Sequence, residues 1–230
     1  MTNQTTDTQT ADSSWKSLYR VAGVAALISV ATILIQLIVY IVSPPPNTVI
    51  DWFTLFQNNK LMGLLAFELL IIVSNVLAIP LYLAFYTALK RVSKSFMAIA
   101  TAIGLVGAAV SFAARPAFDM LYLSDQYAAA TTDAQRSMLL TAGEAMLATF
   151  NGTASHVSYV FAALALLTIS VVMLRSEIFG KITAYMGIIS NIFALGFYVP
   201  EIGIIFGMLS VFPFLIIWNI LIARRLLQLE

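Results

Sequence analysis

Residues 75–104, NVLAIPLYLAFYTALKRVSKSFMAIATAIG, carry the pattern from which the fold is most directly inferred. Two apolar runs flank a short polar turn that carries Lys90, Arg91 and Lys94. An apolar run of about 20 residues is long enough to cross a bilayer as a helix, and basic residues concentrate in cytoplasmic loops. The stretch therefore predicts a transmembrane hairpin whose turn lies on the cytoplasmic side.

The composition extends this interpretation to the whole chain. Hydrophobic residues make up 60% of the sequence and charged residues only 10%, whereas about a quarter of an average soluble protein is charged. A soluble domain of this length could not bury so much apolar surface, so lipid must form part of its solvent. The net charge of +1 excludes a broad basic surface, and we predict no nucleic-acid partner.

Cysteine and histidine usage restricts the possible chemistry. The chain has no cysteine, which excludes disulfides, thiolate-bound metal or iron–sulfur centres and prenylation. His156 is the only histidine, so multi-histidine metal sites and two-histidine haem ligation are excluded as well. We predict neither a metal nor a cofactor.

Six apolar runs have the length of a spanning helix, and each must be helical because lipid offers no hydrogen bonds to the backbone. The predicted spans are 19–42, 61–89, 95–115, 152–174, 182–199 and 203–223. We predict an all-α integral membrane protein, a six-transmembrane-helix bundle that forms one domain over residues 18–230. The polar segment 1–17 is predicted to be a disordered cytoplasmic tail.

The basic residues determine the predicted orientation. They precede the first span, follow the last, and occupy the turns after spans two and four: Lys16, Arg20, Lys90, Arg91, Lys94, Arg175, Lys181, Arg224 and Arg225. We therefore predict that the N and C termini are both cytoplasmic and that the outer loops are mainly acidic.

Two outer connections are predicted to contain helices. After three consecutive prolines, the segment IDWFTLFQNN (50–59) places Trp52, Phe53 and Phe56 on one face, which is typical of a short helix lying in the outer membrane interface. The second half of the connection 120–150 contains good helix formers and an apolar stripe. We expect a helix there that continues into span four and bends at Gly152.

An ionisable residue recurs at one depth in four spans. Glu68, Arg115, His156 and Glu201 each lie 19 to 22 residues from a cytoplasmic Lys or Arg of the same span, which corresponds to about 30 Å. These residues either mark where the helices meet the outer headgroups, or face inward and line a water-filled cavity open to the outside. Asp119 follows Arg115 at i+4, within reach of an ion pair, and completes this candidate ligand-binding layer.

The third span favours an inward-facing Arg115. Ala100, Gly104, Ala108, Ser111 and Arg115 share one stripe at spacings of three or four, and small residues mark the face where membrane helices approach each other closely. The proline that follows Arg115 is predicted to kink the helix there.

Three amides are candidates for buried polar residues: Asn75, Asn151 and Asn191. Asn75 lies near the middle of its span, where an amide needs a hydrogen-bonding partner from another helix. We therefore predict an interhelical hydrogen bond at Asn75, with a structural role as the simplest explanation.

Two non-catalytic functions are compatible with these features. In the first, which we favour, the polar layer forms an outward-facing vestibule for binding or transport of a small molecule, lipid or ion. Pro80, Pro116 and Pro213 suit the broken helices that surround such sites. In the second, the protein is a membrane subunit or scaffold, which requires only helix packing and a partner membrane protein or a second copy of the chain.

An intramembrane enzyme is the third alternative. It would use Glu68 or Glu144 with His156 as acid and base, while Arg115 holds an anionic headgroup. The sequence contains no nucleophile motif, no metal-ligand cluster and no phosphate-binding loop. Whether the protein is an enzyme therefore stays open, and we favour the non-catalytic classes.

Four segments carry a resemblance to a known family. They are YRVAGVAALI in span one, NVLAIPLYLAFYTALKRVSKSFM across the turn between spans two and three, ASHVSYVFAALALL in span four, and LRSEIFGKITAYMGII at span five. These segments resemble an uncharacterised bacterial family of six-span membrane proteins, the domain-of-unknown-function family numbered 4386. The resemblance implies a prokaryotic origin, a six-helix fold and a location in the plasma membrane, which is the inner membrane of such cells. No catalytic residue is carried over from this resemblance.

Overall fold

The structure, a computed structural model, describes residues 13–229, and every regular element in that range is helical, as predicted. After a short 3-10 turn, Ser13–Trp15, the helices are α1 (Lys16–Val42), α2 (Val49–Asn58), α3 (Lys60–Ala66), α4 (Leu69–Leu89), α5 (Lys94–Ala113), α6 (Ala117–Ala129), α7 (Asp133–Phe150), α8 (Thr153–Met173), α9 (Lys181–Gly196), α10 (Gly203–Leu209) and α11 (Ile216–Leu227). A π-helical segment, Ser210–Leu215, joins α10 to α11.

Five stretches within residues 13–229 are long and apolar enough to cross a membrane: α1, α4, α5 with α6, α7 with α8, and α10 with α11. By length and composition they give the chain the character of a multi-pass membrane protein, as predicted. Helix α9, which covers most of the predicted fifth span, has 16 residues and is roughly 24 Å long. That is shorter than a hydrocarbon core of about 30 Å, so a sixth crossing stays a prediction.

The predicted second span, 61–89, is not one continuous helix. It is divided into α3 and α4 by Phe67 and Glu68, and the backbone of Glu68 adopts a left-handed conformation with φ of 64°. A right-handed helix cannot pass through such a residue, because its φ has the opposite sign. The prediction of an unbroken helix was therefore wrong at this position.

The long connection after α5 is more helical than predicted. A helix in its second half is confirmed as α7, which begins at a capping box formed by Thr132 and Gln135. The predicted bend before span four is also found, because Asn151 and Gly152 separate α7 from α8. A Cβ atom at Gly152 would lie 2.6 Å from the carbonyl oxygen of Ala148, so the tight bend requires glycine. The first half of the connection forms α6, which was not predicted.

Helix α2 exists where an outer interfacial helix was predicted, but its aromatic face is not available to lipid. Trp52, Phe53 and Phe56 are all buried. The ring of Trp52 lies 4.7 Å from that of Phe67, centroid to centroid, in an edge-to-face arrangement. The aromatic side chains thus pack into the protein core, which removes the reason for placing α2 in the membrane interface.

The chain divides into two compact units, each with its own core. One unit, here called unit 2, comprises Ser29–Leu77 and Val106–Val160. Its core contains the aromatic residues of α2 together with Phe67, Met120 and their neighbours. Phe67 is fully buried, and its ring lies 4.6 Å from that of Phe150. An aromatic cluster therefore surrounds the residue that precedes the break at Glu68.

The other unit, here called unit 1, contains the described residues up to Ile28, Ala78–Leu105 and the chain from Phe161 onward. Its core combines many alanines with a few large rings. Phe85 lies between Phe179 and Trp218, at ring-centroid distances of 6.2 and 5.6 Å. Small residues let membrane helices approach closely, and the rings fill the remaining space.

Other predictions about organisation have mixed outcomes. The small residues of the stripe predicted on the third span, Ala100, Gly104, Ala108 and Ser111, are all buried, which confirms that this face packs against protein. Most of the predicted tail, residues 1–12, lies outside the described residues. Residues 13–17 form the 3-10 turn and the start of α1. A single domain over residues 18–230 stays a prediction.

The aromatic cluster of unit 2 leads to a first prediction. Phe67→Ala should lower the free energy of unfolding by about 3–5 kcal/mol, because it leaves a cavity between packed rings. Phe118→Ala, which removes an exposed ring of α6 in the same unit, should cost less than about 0.5 kcal/mol. Unfolding of the purified protein in detergent measures both. Equal losses would show that the Phe67 cluster is not a core.

Candidate functional site

Two helix breaks in unit 2 carry charged residues. Glu68 separates α3 from α4, and its carbonyl oxygen accepts hydrogen bonds from the N–H groups of Ile71 and Ile72 at 2.9 and 3.3 Å. Its left-handed φ costs roughly 1–2 kcal/mol for a residue with a Cβ. Glu68 thus begins α4 at the expense of backbone strain.

The second break lies at Arg115. Helix α5 ends at Ala113 and α6 begins at Ala117, with Arg115 and Pro116 between them. Proline has no N–H and disfavours helical geometry in the preceding residue. The kink predicted at Pro116 is therefore confirmed, and it takes the form of a complete helix end.

The side chains at the two breaks form an ion pair. Nε of Arg115 donates to Oε2 of Glu68 at 3.0 Å, and the two side chains are only 13% and 19% exposed. The hydroxyl of Tyr40 donates to the other carboxylate oxygen at 2.8 Å. Nη1 of Arg115 donates to the hydroxyl oxygen of Ser111 at 3.0 Å. We call these four residues, Tyr40, Glu68, Ser111 and Arg115, the polar centre.

The hydrogen bonds continue along α4 and α5. Nδ2 of Asn75 donates to Ser111 Oγ at 3.0 Å and to the carbonyl oxygen of Ile71 at 2.8 Å. The first of these bonds joins two helices, so the interhelical hydrogen bond predicted for Asn75 is confirmed. Ser111 accepts from both Asn75 and Arg115, which links the amide to the ion pair.

Helix α1 contributes a polar face that the sequence analysis did not use. Thr32, Gln36 and Tyr40 follow one another at intervals of four residues, so they lie on one side of the helix. Thr32 shares a hydrogen bond of 3.0 Å with Ser74, and Nε2 of Gln36 donates to the carbonyl oxygen of Leu65 at 3.2 Å. The i+4 spacing of polar residues in an otherwise apolar helix was the signal that could have identified them.

A cavity of about 230 Å³ lies close to the aromatic cluster of unit 2. Its lining residues come from the loop after α1, from α2 and from the end of α7: Pro45, Pro46, Asn47, Trp52, Leu147, Phe150 and Asn151. No charged side chain is among them. The rings of Trp52 and Phe150 both contact Phe67, the residue before Glu68. Two lining rings of the cavity thus contact the residue that precedes Glu68, although no residue of the polar centre lines the cavity itself.

Comparison with known proteins identifies the family. The sequence matches the model of a family described as a domain of unknown function (DUF4386) over residues 17–227. The chain belongs to the DUF4386 family. The resemblance predicted from the sequence is thereby confirmed. No curated protein and no solved structure matches the chain.

The structure of this DUF4386 chain separates the residues of the predicted layer. Glu68 and Arg115 are brought together and face inward, whereas Asp119 and His156 are exposed on α6 and α8. Glu201 belongs to unit 1, where it is exposed in the turn before α10 and has a φ of 69°. The carboxylate paired with Arg115 is that of Glu68, not that of Asp119 as the i+4 spacing suggested.

The remaining amides differ from each other. Asn191 is buried, as predicted, and donates to the carbonyl oxygen of Gly187 in its own helix at 2.7 Å. Asn151 is exposed, so the prediction of its burial was wrong. It caps the C-terminal end of α7, where its side chain donates to the carbonyl oxygen of Leu147 at 3.1 Å.

Among residues 13–229, no group of three or more His, Asp or Glu side chains is arranged to hold a metal ion. In the polar centre, a carboxylate, a guanidinium and two hydroxyl groups meet.

The ion pair leads to a second prediction. Arg115→Met and Glu68→Gln should each lower the free energy of unfolding by about 3 kcal/mol, because each strands one charge in a largely buried position. The double variant should be more stable than the sum of the two losses predicts, because neither charge remains. A double-mutant cycle of unfolding in detergent measures this coupling.

Asp119→Ala is the matched control for that cycle. Its carboxylate is exposed at i+4 from Arg115, so its loss should cost less than about 0.5 kcal/mol. A loss as large as that of Glu68→Gln, with coupling to Arg115→Met, would identify Asp119 as the partner instead.

Proposed function

We propose that this protein binds a small molecule, lipid or ion at the polar centre of unit 2, and that it acts as a binding protein or transporter of the membrane. The observation that carries the proposal is the largely buried Glu68–Arg115 pair at two helix breaks. Ionisable residues at membrane depth are rare and usually belong to functional sites or packed interiors.

Burying the Glu68–Arg115 pair is energetically costly, and this cost favours a functional role over a purely structural one. Two charges removed from water lose hydration that their mutual attraction often fails to restore, so apolar residues would hold the helices together at least as well. Glu68 also carries the strain of a left-handed backbone, which glycine would avoid. Strain and buried charge occur at the same residue, as is typical of binding sites.

The broken helices support the same proposal. In a continuous helix the N–H of Ile71 would bond to the carbonyl oxygen of Phe67, but here it bonds to Glu68. Phe67 is fully buried, so its carbonyl oxygen has lost its helical donor without gaining access to water. In membrane transporters, discontinuous helices expose backbone groups of this kind to substrates and ions.

The cavity lined by Trp52 and Phe150 is proposed as the vestibule of this site. Its walls combine two aromatic rings with the amides of Asn47 and Asn151, a mixture of apolar surface and a few polar groups that small-molecule sites commonly show. On the predicted orientation, the loop after α1 and the bend between α7 and α8 lie outside the membrane. The vestibule would then open outward.

We further propose six crossings, with α9 as the fifth, and both termini in the cytoplasm of a bacterial cell. The support is the distribution of lysine and arginine, which concentrate in the segments predicted to be cytoplasmic. Helix α9 is short, but the turn that follows it extends the apolar run through Val199, and bilayers thin locally around short helices.

This topology is the third prediction, and the lack of native cysteine makes it clean to test. Single cysteines at the exposed positions Ser95 and Glu177 should resist a membrane-impermeant maleimide in intact cells, whereas Ser137→Cys and Glu201→Cys should react. Labelling after cell lysis is the control for accessibility. Equal labelling of Glu177→Cys and Glu201→Cys in intact cells would show that α9 does not cross.

Reversal of the charge pair tests the proposed function and is the fourth prediction. Thermal unfolding of the wild type is recorded against amino acids, organic acids, phosphate esters and bilayers of defined lipids. A compound from this panel should raise the melting temperature, and Glu68→Arg/Arg115→Glu should remove that response because the polarity of the site is inverted.

The unfolding free energy of the reversed variant shows whether the pair has only a structural role. If the pair only joins helices, the reversed variant recovers the unfolding free energy lost in the single variants and keeps every ligand response of the wild type. A wild type that responds to no compound, together with such recovery, favours the membrane subunit or scaffold instead. Phe118→Ala serves as the control for non-specific effects on unfolding.

A further inference from the structure

The chemistry around the ion pair narrows the class of ligand. We infer that the polar centre recognises a zwitterion, a molecule that carries a primary ammonium group together with a carboxylate or phosphate. The inference rests on the proposed function, because it assumes that a ligand reaches Glu68 and Arg115. It covers free amino acids and the ethanolamine headgroup of a phospholipid, which share this chemistry.

Charge balance is the first argument. Glu68 and Arg115 together carry no net charge, and their side chains are 19% and 13% exposed. A ligand with a single charge would pair with one of them and leave the other without its partner in a poorly solvated place, which is strongly unfavourable. A zwitterion replaces one ion pair by two, since its ammonium faces Glu68 and its anionic group faces Arg115.

Gln36 provides the second argument, from the acceptor side. The residue is only 9% exposed, and its Oε1 is buried without a hydrogen-bond partner among the described residues. Its Nε2 donates a hydrogen bond to the carbonyl oxygen of Leu65 at 3.2 Å. This bond orients the amide so that Oε1 is the atom without a partner. A buried acceptor without a donor is costly, and an N–H of the ligand would satisfy it.

Gln36 lies on the side of the site where the ammonium group of the ligand would face Glu68. Tyr40, one turn further along α1, donates to Glu68, and Leu65 lies three residues before Glu68. Gln36 is thus bonded to the backbone just before the break that carries the carboxylate. The carbonyl oxygen of Phe67, which has lost its helical donor, is a further acceptor there. A primary ammonium has three N–H donors, whereas a trimethylated one has none.

Arg115 provides the third argument, from the donor side. A guanidinium has five N–H donors, and the two nitrogens engaged are Nε, bonded to Glu68, and Nη1, bonded to Ser111. Nη2 can therefore donate to the anionic group of a ligand. Nε can do so as well once Glu68 pairs with the ammonium of the ligand instead. Paired N–H groups of arginine bind carboxylate and phosphate in a bidentate manner.

The test uses probes that share a skeleton and differ only in charge. Alanine, propionate and ethylamine form one set, and glycerophosphoethanolamine, glycerophosphoglycerol and ethanolamine form another. Binding to the full-length purified protein in detergent is measured by calorimetry and by thermal unfolding. In each set, the zwitterion should bind at least about tenfold more tightly than either singly charged analogue.

Two comparisons examine the ammonium contacts and the source of the ligand. Trimethylation of alanine should weaken binding about tenfold or more, because Gln36 and Glu68 lose their N–H donors. Nanodiscs of phosphatidylethanolamine should stabilise the protein more than nanodiscs of phosphatidylglycerol if a lipid is the ligand. They should not do so if the ligand is a free molecule, in which case the soluble zwitterions alone bind.

Gln36→Met removes the open acceptor and should reduce zwitterion binding about tenfold while leaving the ion pair intact. Thr101→Val is the matched control, since it also deletes a buried oxygen without a hydrogen-bond partner, here the hydroxyl oxygen of a residue in unit 1. It should leave binding unchanged. Equal losses in the two variants would refute the assignment of Gln36 to the site.

The outcomes distinguish this inference from the proposed function. If propionate or ethylamine binds as tightly as alanine and Glu68→Arg/Arg115→Glu abolishes that binding, the proposed function stands and the zwitterion inference is wrong. If neither soluble zwitterion nor phosphatidylethanolamine has any effect on the wild type, the inference is likewise overturned. A ligand whose binding survives the charge reversal contradicts both.

Discussion

The mutual neutralisation of Glu68 and Arg115 is the constraint on which the organisation of unit 2 depends. Neither charge is stable alone in poorly hydrated surroundings, so the two must meet although 47 residues separate them in the chain. Each side chain projects from a helix break, and each has a hydroxyl partner, from Tyr40 or Ser111. The pair thereby ties α1 to both breaks.

The aromatic cluster explains how such an arrangement persists. A left-handed residue and a buried charge are both unfavourable, and they endure only where the surrounding packing leaves no better alternative. Phe67, fully buried between the rings of Trp52 and Phe150, holds the backbone immediately before Glu68. Through Trp52, helix α2 supplies part of the packing around the strained break.

Predictions were correct for features that depend on a single segment of the chain. The stripe of small residues on α5, the helix end at Pro116 and the need of Asn75 for a partner on another helix all follow from one segment at a time. Such predictions failed for Asp119, because the i+4 spacing assumes a continuous helix and Pro116 ends it. They also missed the break at Glu68, since nothing in its neighbourhood marks a left-handed glutamate.

Helical structure and suitability for a membrane follow from the sequence alone, because apolar runs of that length admit no other backbone structure in lipid. The sequence also placed ionisable residues at a common distance from the basic turns. Which of these residues face inward became apparent from the packing of the helices. Glu68 and Arg115 meet only because two helices break and pack at these positions. Their meeting depends on the whole core of unit 2 and cannot be inferred from either segment alone.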